Sequence, residues 1–309
     1  MEDPRIQQER AQNLWASMIR KFPPMAKATR LEADPQVGTD RIGGLAQAQE
    51  ELLTYACAMT DPDVYARWGT LPPSGVLLIG PPGSGKRLLT RALATRAKTA
   101  YLSVDIPQLV LEIVHRGGKV GELLEAWSQL LVDFPPVTVS FEELEFSQAQ
   151  EIGARRPDLP IGPIMDFLLD FVDRSVGIEQ TLVVASTMHP DSLRPAFFMP
   201  GRFERVVEVT PVYPDDQVDA LCIHARDAEK RAGRTLFEDV DWLDVVRRFR
   251  DPSIGDWIRL MHGALRRKAR CESAGDPVGP VRTEDLVAEV ERFRRASQRL
   301  PRSVSGTYV

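Results

Sequence analysis

Gly75-Val-Leu-Leu-Ile-Gly80-Pro-Pro-Gly-Ser-Gly-Lys86-Arg-Leu-Leu-Thr90 reads as an apolar run, a glycine–proline turn and a helix start. An apolar run without alternation, closed by such a turn, is a strand buried on both faces. Glycines let the turn curl until successive N–H groups face inward, and a following helix adds the positive end of its dipole. The spacing from Gly80 to Lys86 is that of a phosphate-cradling loop, with the lysine charge directed at the β- and γ-phosphates. Gly80, Pro81, Pro82, Gly83, Ser84, Gly85, Lys86, Arg87 and Leu88 are therefore the expected nucleotide contacts. One position departs from the pattern. Where Ser or Thr ordinarily ligates Mg²⁺ the chain has Arg87, a donor with no acceptor atom, whose charge is expected to point at the phosphates and partly replace the metal.

Around this stretch, helical patterns alternate with β-rich runs at 76–79, 100–104, 137–141, 181–185 and 206–209. That rhythm predicts an α/β fold, a parallel sheet covered by helices. Beyond Pro211 and Pro214 no strand pattern returns, and helices are expected at 215–232, 239–249, 253–271 and 283–296, the last capped by Thr283. Upstream, Ala11, Leu14, Trp15, Met18 and Ile19 form one helical face ahead of Pro23-Pro24 and a polar linker. Such a face packs on the main body or docks a partner, and the first reading is the simpler. The expected organisation is an amphipathic helix and linker over 1–38, a large nucleotide-binding domain over 39–211, a helical lid domain over 212–296 and a flexible tail over 297–309.

Composition narrows the function classes. With 309 residues, 43% hydrophobic, 27% charged and a formal charge of −5, the chain gives no whole-chain reason to expect nucleic-acid binding. Three scattered cysteines, Cys57, Cys222 and Cys271, fit neither a disulfide framework nor a metal knuckle and point to a reducing cytoplasm. Neither a signal peptide nor a membrane span is expected. The four histidines, His115, His189, His224 and His262, form no HExxH zinc-protease motif.

Further motifs gather outside the loop. They are Asp40-Arg-Ile-Gly-Gly44, Trp68-Gly-Thr-Leu-Pro-Pro-Ser-Gly75, Val137-Thr-Val-Ser-Phe-Glu142-Glu143-Leu144, and Thr187-Met-His-Pro-Asp-Ser-Leu-Arg-Pro-Ala-Phe-Phe-Met-Pro-Gly-Arg-Phe-Glu-Arg205. With the loop, over about residues 40–295, they resemble AAA ATPases of the kind found in proteasomal ATPases, membrane AAA proteases and valosin-like unfoldases. The resemblance implies a parallel-sheet domain followed by a helical lid, ATP or ADP as cofactor, and a ring, hexameric in the family, acting on a protein partner. Glu143 matches the catalytic glutamate, and Glu142 stands where an aspartate holds Mg²⁺ through water. Arg202 and Arg205 match arginine fingers that serve the next subunit. Ile42, Gly43 and His224 match adenine contacts, and Gly255, in Ser253-Ile-Gly-Asp256, matches the turn near the ribose.

Several departures bear on turnover. Met188 occupies the place of a water-orienting asparagine, a hydrogen-bonding job that methionine cannot do and that neighbouring Thr187 takes over only if the register shifts by one. In the segment Leu109-Val-Leu-Glu-Ile113-Val-His115-Arg-Gly-Gly-Lys119, no aromatic stands where unfoldases grip polypeptide. Two readings follow. One is a weak ATPase whose slow or conditional hydrolysis drives assembly or remodelling. The other is a non-hydrolysing subunit that completes the site of an active paralogue.

Overall fold

The computed structural model describes residues 3–116, 119–145, 161–250 and 252–297. Gly117, Gly118 and the tail from 298 to 309 lie outside them. Six strands, β1 (Thr29–Glu32), β2 (Gly75–Ile79), β3 (Ala100–Asp105), β4 (Val137–Glu142), β5 (Thr181–Thr187) and β6 (Phe203–Glu208), form one sheet in the order β1-β3-β4-β5-β2-β6. All neighbours run parallel except β1, which pairs antiparallel with β3 at the edge. β4 is buried at every position, its polar Thr138, Ser140 and Glu142 alternating with Val137, Val139 and Phe141.

The register brings the strand ends together. Ile79 of β2 lies opposite Thr187 of β5, and Glu142 closes β4 opposite Asp105 of β3. In parallel α/β sheets ligands sit beyond these carboxyl ends, so the fold by itself selects the edge that carries the candidate residues. Gly75 is required at the start of β2: a Cβ there would stand 2.9 Å from the Phe203 ring. On one face the core centres on Phe171, whose ring lies 4.7 Å from Trp127, 5.4 Å from Phe141 and 5.6 Å from Phe167. The Trp127 indole N–H donates to the Ser175 hydroxyl at 2.8 Å, which satisfies the one polar atom of a fully buried ring.

The N-terminal helix, Pro4–Lys21, buries Ala11 and Met18 in this same core, with Leu14, Trp15 and Ile19 packed against it. Packing on the main body is thus the observed use of its apolar face. The helix ends at Lys21, ahead of Pro23-Pro24 as expected, but the segment after it is more than a linker. Pro23 opens a short helix, Pro23–Ala28, because a proline fits a first turn whose N–H groups have no helical partner. The chain then enters β1, a strand that four residues of mixed polarity did not announce.

The chain divides into two compact units, one comprising 1–38, 47–80 and 86–208, the other 39–46, 81–85 and 209–309. Two short segments expected in the large domain, the Asp40–Gly44 motif and the apex of the phosphate loop, therefore belong by contact to the helical unit. The helical unit has its own core around Leu221, Val245, Val246, Trp257, Met261 and Leu286. Its helices are Asp215–Ala232, Trp242–Arg247, Ile254–Ser273 and Thr283–Ser297. Thr283 is not the expected cap. Its hydroxyl accepts from the Asp241 N–H at 2.9 Å and donates to the Asp239 carbonyl at 3.1 Å, while Asp285 accepts the Arg282 N–H at 3.1 Å.

Candidate functional site

The turn after β2 has the backbone that its glycines allow. Gly83 and Gly85 take φ of 71° and 102°, values at which a side chain is strained. Pro81 and Pro82 lack an N–H, so the amide donors of the cradle come from Gly83 onward. Gly80 donates to the Thr187 carbonyl at 3.3 Å, pinning the turn to the end of β5. Lys86 begins the Lys86–Ala97 helix, and its ammonium donates to the Gly80 carbonyl at 2.7 Å. Burial lowers the Lys86 pKa to about 8, against the opposing pull of Glu145 and Glu143. Within the turn the Ser84 hydroxyl is buried without a hydrogen-bond partner among the described residues.

One residue further on, Arg87 meets Glu142 at the end of β4. Its Nε donates to Glu142 Oε1 at 2.7 Å, and its Nη2 donates to Oε2. Tyr101, the second residue of β3, adds its hydroxyl to Oε1 at 3.2 Å. Glu142 is 7% exposed, so this carboxylate is buried, bidentate and satisfied. Arg87, expected to point at phosphate, here places two of its donors on a protein carboxylate. Glu142, expected to hold Mg²⁺ through water, here accepts that guanidinium fork. Among the described residues no group of three His, Cys, Asp or Glu side chains is arranged to hold a metal.

Glu143 follows directly, with φ of 54°. A left-handed backbone at a non-glycine residue costs on the order of 1 kcal/mol and turns the side chain away from the direction the strand would give it. Burial raises its pKa, and Asp105, Glu145 and Glu142 push the same way. Glu145, which the sequence offers only as part of an acidic turn, is 5% exposed. Its Oε1 accepts the Met188 backbone N–H at 3.0 Å, and its Oε2 is buried without a partner among the described residues. Met188 thus enters the site through its backbone. The Thr187 hydroxyl accepts the His189 N–H at 3.0 Å, a local turn bond.

Both candidate finger arginines have partners within the chain. Arg202 donates through Nη2 to Asp173 at 2.7 Å and through Nη1 to the Ala196 carbonyl at 2.6 Å. Arg205 pairs with Glu51. The Gly201 N–H and the Ser74 hydroxyl both reach Glu204, at 2.6 and 3.2 Å, which fixes the turn between the two arginines. In the segment searched for a gripping aromatic, Ile113 packs partly buried against the sheet core, and His115 Nδ1 lies 2.9 Å from the Leu111 carbonyl.

In the helical unit the opening motif lies along the Asp215–Ala232 helix. Gly43 approaches so closely that a Cβ would fall 2.3 Å from the Ala220 nitrogen. Leu45 donates its N–H to Asp216 at 2.9 Å, and Arg41 pairs with Asp227 at 2.9 Å. Ile42 is buried and His224 half-buried, one turn beyond Ala220 on that helix. Burial lowers the His224 pKa, with Asp227 opposing, so the ring favours its neutral form. Ser253 caps the Ile254–Ser273 helix in a reciprocal box with Asp256. The same turn meets the loop apex: a Cβ on Gly83 would stand 2.8 Å from the Ser253 hydroxyl, and one on Gly255 would stand 3.6 Å from Gly83 Cα. Gly255 therefore keeps the close backbone approach its type allows, while Ile254 packs inward.

Residues 76–211 match the family model described as "ATPase family associated with various cellular activities (AAA)". The chain carries an AAA domain. Over 239 residues it is 30% identical to the proteasome-activating nucleotidase of Methanothermobacter thermautotrophicus, an alignment that covers 75% of this chain and 55% of that protein. It is also 30% identical over 225 residues to the cell division cycle protein 48 homolog of Archaeoglobus fulgidus, covering 72% of this chain and 29% of the relative. With protein CdcH of Halobacterium salinarum the identity is 27% over 284 residues, covering 87% and 37%. The chain thus spans little more than half the length of the first of these AAA relatives, and less of the others.

The AAA family implies nucleotide binding. Among the described residues no helix is long and apolar enough to cross a membrane. Two residues of this side-chain cluster escaped sequence reasoning, Tyr101 and Glu145. Tyr101 sits inside a buried strand with nothing to single it out, whereas Glu145 was visible as the third acid of a run whose members the fold separates by role.

Proposed function

We propose that this chain is a ring-forming AAA protein, hexameric by family resemblance, that couples ATP binding and slow or conditional ATP hydrolysis to assembly or remodelling of a protein partner. The observation that carries it is the Gly80–Lys86 turn, with two left-handed glycines and a half-buried lysine whose ammonium rests on a backbone carbonyl. On ATP or ADP binding that ammonium exchanges the carbonyl for phosphate oxygens, while the amides from Gly83 onward hold the chain of phosphates. Ile42, Gly43 and His224 receive adenine, and Gly255 lets the backbone approach the ribose. Glu143, whose raised pKa suits it to accept a proton, polarises the attacking water. Arg202 or Arg205 serves the neighbouring subunit after releasing Asp173 or Glu51. Three free, partly exposed cysteines suit a cytoplasmic setting.

A second reading, a non-hydrolysing subunit whose nucleotide is structural and whose arginines complete the site of an active paralogue, draws on Met188 and on the Arg87–Glu142 pair. Phosphate release by the wild-type chain and by Glu143→Gln, with sizing in the presence and absence of ATP, separates the two. Turnover abolished by the substitution supports the ATPase. Equal background in both, with ATP-dependent assembly, supports the structural subunit. A chain whose size ignores ATP and which releases no phosphate contradicts both.

A further inference from the structure

We infer that nucleotide binds this chain without a divalent cation, the Arg87 guanidinium, anchored on Glu142, serving as the fixed positive charge beside the phosphates. The inference rests on the proposed nucleotide-binding role of the Gly80–Lys86 turn and deepens it. Mg²⁺ demands oxygen ligands in a near-octahedral shell, usually one or two carboxylates with substrate phosphates and waters. Here the residue after the lysine offers only N–H donors.

The carboxylate at the end of β4 has no oxygen to spare. Arg87 holds Oε1 and Oε2 through Nε and Nη2, and Tyr101 donates to Oε1 as well. A metal arriving at Glu142 would have to break a bidentate charge-assisted pair and sit against the displaced guanidinium, two penalties of the same sign. Of the other nearby acids, Glu143 leaves the strand in a left-handed conformation, Glu145 spends Oε1 on the Met188 amide and keeps Oε2 buried, and Asp105 accepts the Gln108 N–H. Among the described residues they form no metal-holding group.

The arrangement also supplies what the metal would have supplied. Two of Arg87's three nitrogens are fixed on Glu142, so the head is held in orientation. The third, Nη1, has no hydrogen-bond partner among the described residues. The Arg87 side chain is 58% exposed against 9% for Glu142, so a largely exposed guanidinium is held by a buried carboxylate. Arg87 follows Lys86 on the first turn of the same helix, which puts two cations of fixed origin at one phosphate-binding turn. The replacements at positions 87 and 142 act as one device: a longer acid reaches the guanidinium, and the guanidinium closes the metal's place.

Calorimetric titration of the full chain with ATP, once in excess EDTA and once in saturating Mg²⁺, is the test. The dissociation constants are expected to agree within about threefold. Binding seen only with Mg²⁺, or tightened by it about tenfold or more, overturns the inference and leaves the nucleotide site standing. Binding in neither condition overturns the nucleotide site itself. The paired variant Arg87→Thr with Glu142→Asp, checked for a native-like thermal transition, is expected to become Mg²⁺-dependent by about tenfold or more. A folded paired variant that still ignores Mg²⁺ shows that this ion pair is not the cause and refutes the assignment.

Discussion

Removing Arg87 tests the ion pair as a structural element, apart from any ligand. Arg87→Ala leaves Glu142, 7% exposed, with only the Tyr101 hydroxyl for company. Breaking a fully buried pair by deleting one partner costs about 3–5 kcal/mol. The deleted side chain here is 58% exposed, so water already screens its end and can reach the carboxylate once it is gone. The expected loss is accordingly about 1–3 kcal/mol, between the exposed and buried limits. Glu142→Ala frees an arginine that can turn into water, and its main cost is the unpaired Tyr101 hydroxyl, about 1 kcal/mol. The double substitution should therefore cost less than the sum of the singles, with a coupling of about 1–2 kcal/mol. Urea unfolding of the four proteins without nucleotide, read by far-UV circular dichroism with unchanged m-values, gives the cycle. Additive costs, or an Arg87→Ala variant within about 0.5 kcal/mol of wild type, would show that the pair contributes nothing and that Glu142 is satisfied in another way.

Lys86 gives a pH dependence with a defined sign. Its pKa near 8 means the free chain loses this proton as pH rises through about 8, and bound phosphate favours the protonated form. ATP binding should then take up a proton above that pH and weaken by up to about tenfold per pH unit, measurable by calorimetry in buffers of different ionisation enthalpy. For folding the sign is opposite: between about 8 and the unfolded value near 10.4 the unfolded chain holds more protons, so Lys86 adds stability as pH rises. Gly43→Ala would drive a Cβ against the Ala220 backbone at 2.3 Å, whereas Gly121 has no heavy atom within 4 Å of its Cβ position. In thermal melts the first should lose about 1–3 kcal/mol and the second should equal or slightly exceed wild type. Trp127→Ala, which removes one of the three rings packed on Phe171, should cost about 3–5 kcal/mol in the same assay.

β2 was legible because Val76 to Ile79 is an unbroken apolar run, and β3 to β5 because their β-branched and apolar residues outnumber the polar ones. β1 was not, since Thr29-Arg-Leu-Glu32 at an antiparallel edge needs only one apolar contact and carries no run. Pro23-Pro24 marked the end of the first helix but not the short helix that follows, since the same ring that stops one helix opens the next at its first turn. In the site, motif spacing located Lys86, Glu142 and Glu143 but was silent on which of them would pair. That choice depends on side-chain reach across strands and on a tyrosine whose neighbourhood exists only in the folded sheet. The split of the loop apex and the Asp40–Gly44 motif into the helical unit was equally invisible, being a matter of contacts between segments far apart in sequence.

The central claim is that the Gly80–Lys86 turn binds nucleotide, and equilibrium ATP titration of the wild-type chain beside Lys86→Ala tests it most directly. One ATP per chain, with affinity reduced about tenfold or more in a Lys86→Ala variant that melts like wild type, is the predicted result. A wild-type chain that binds no ATP with or without Mg²⁺, or one whose affinity is indifferent to Lys86, would contradict the account.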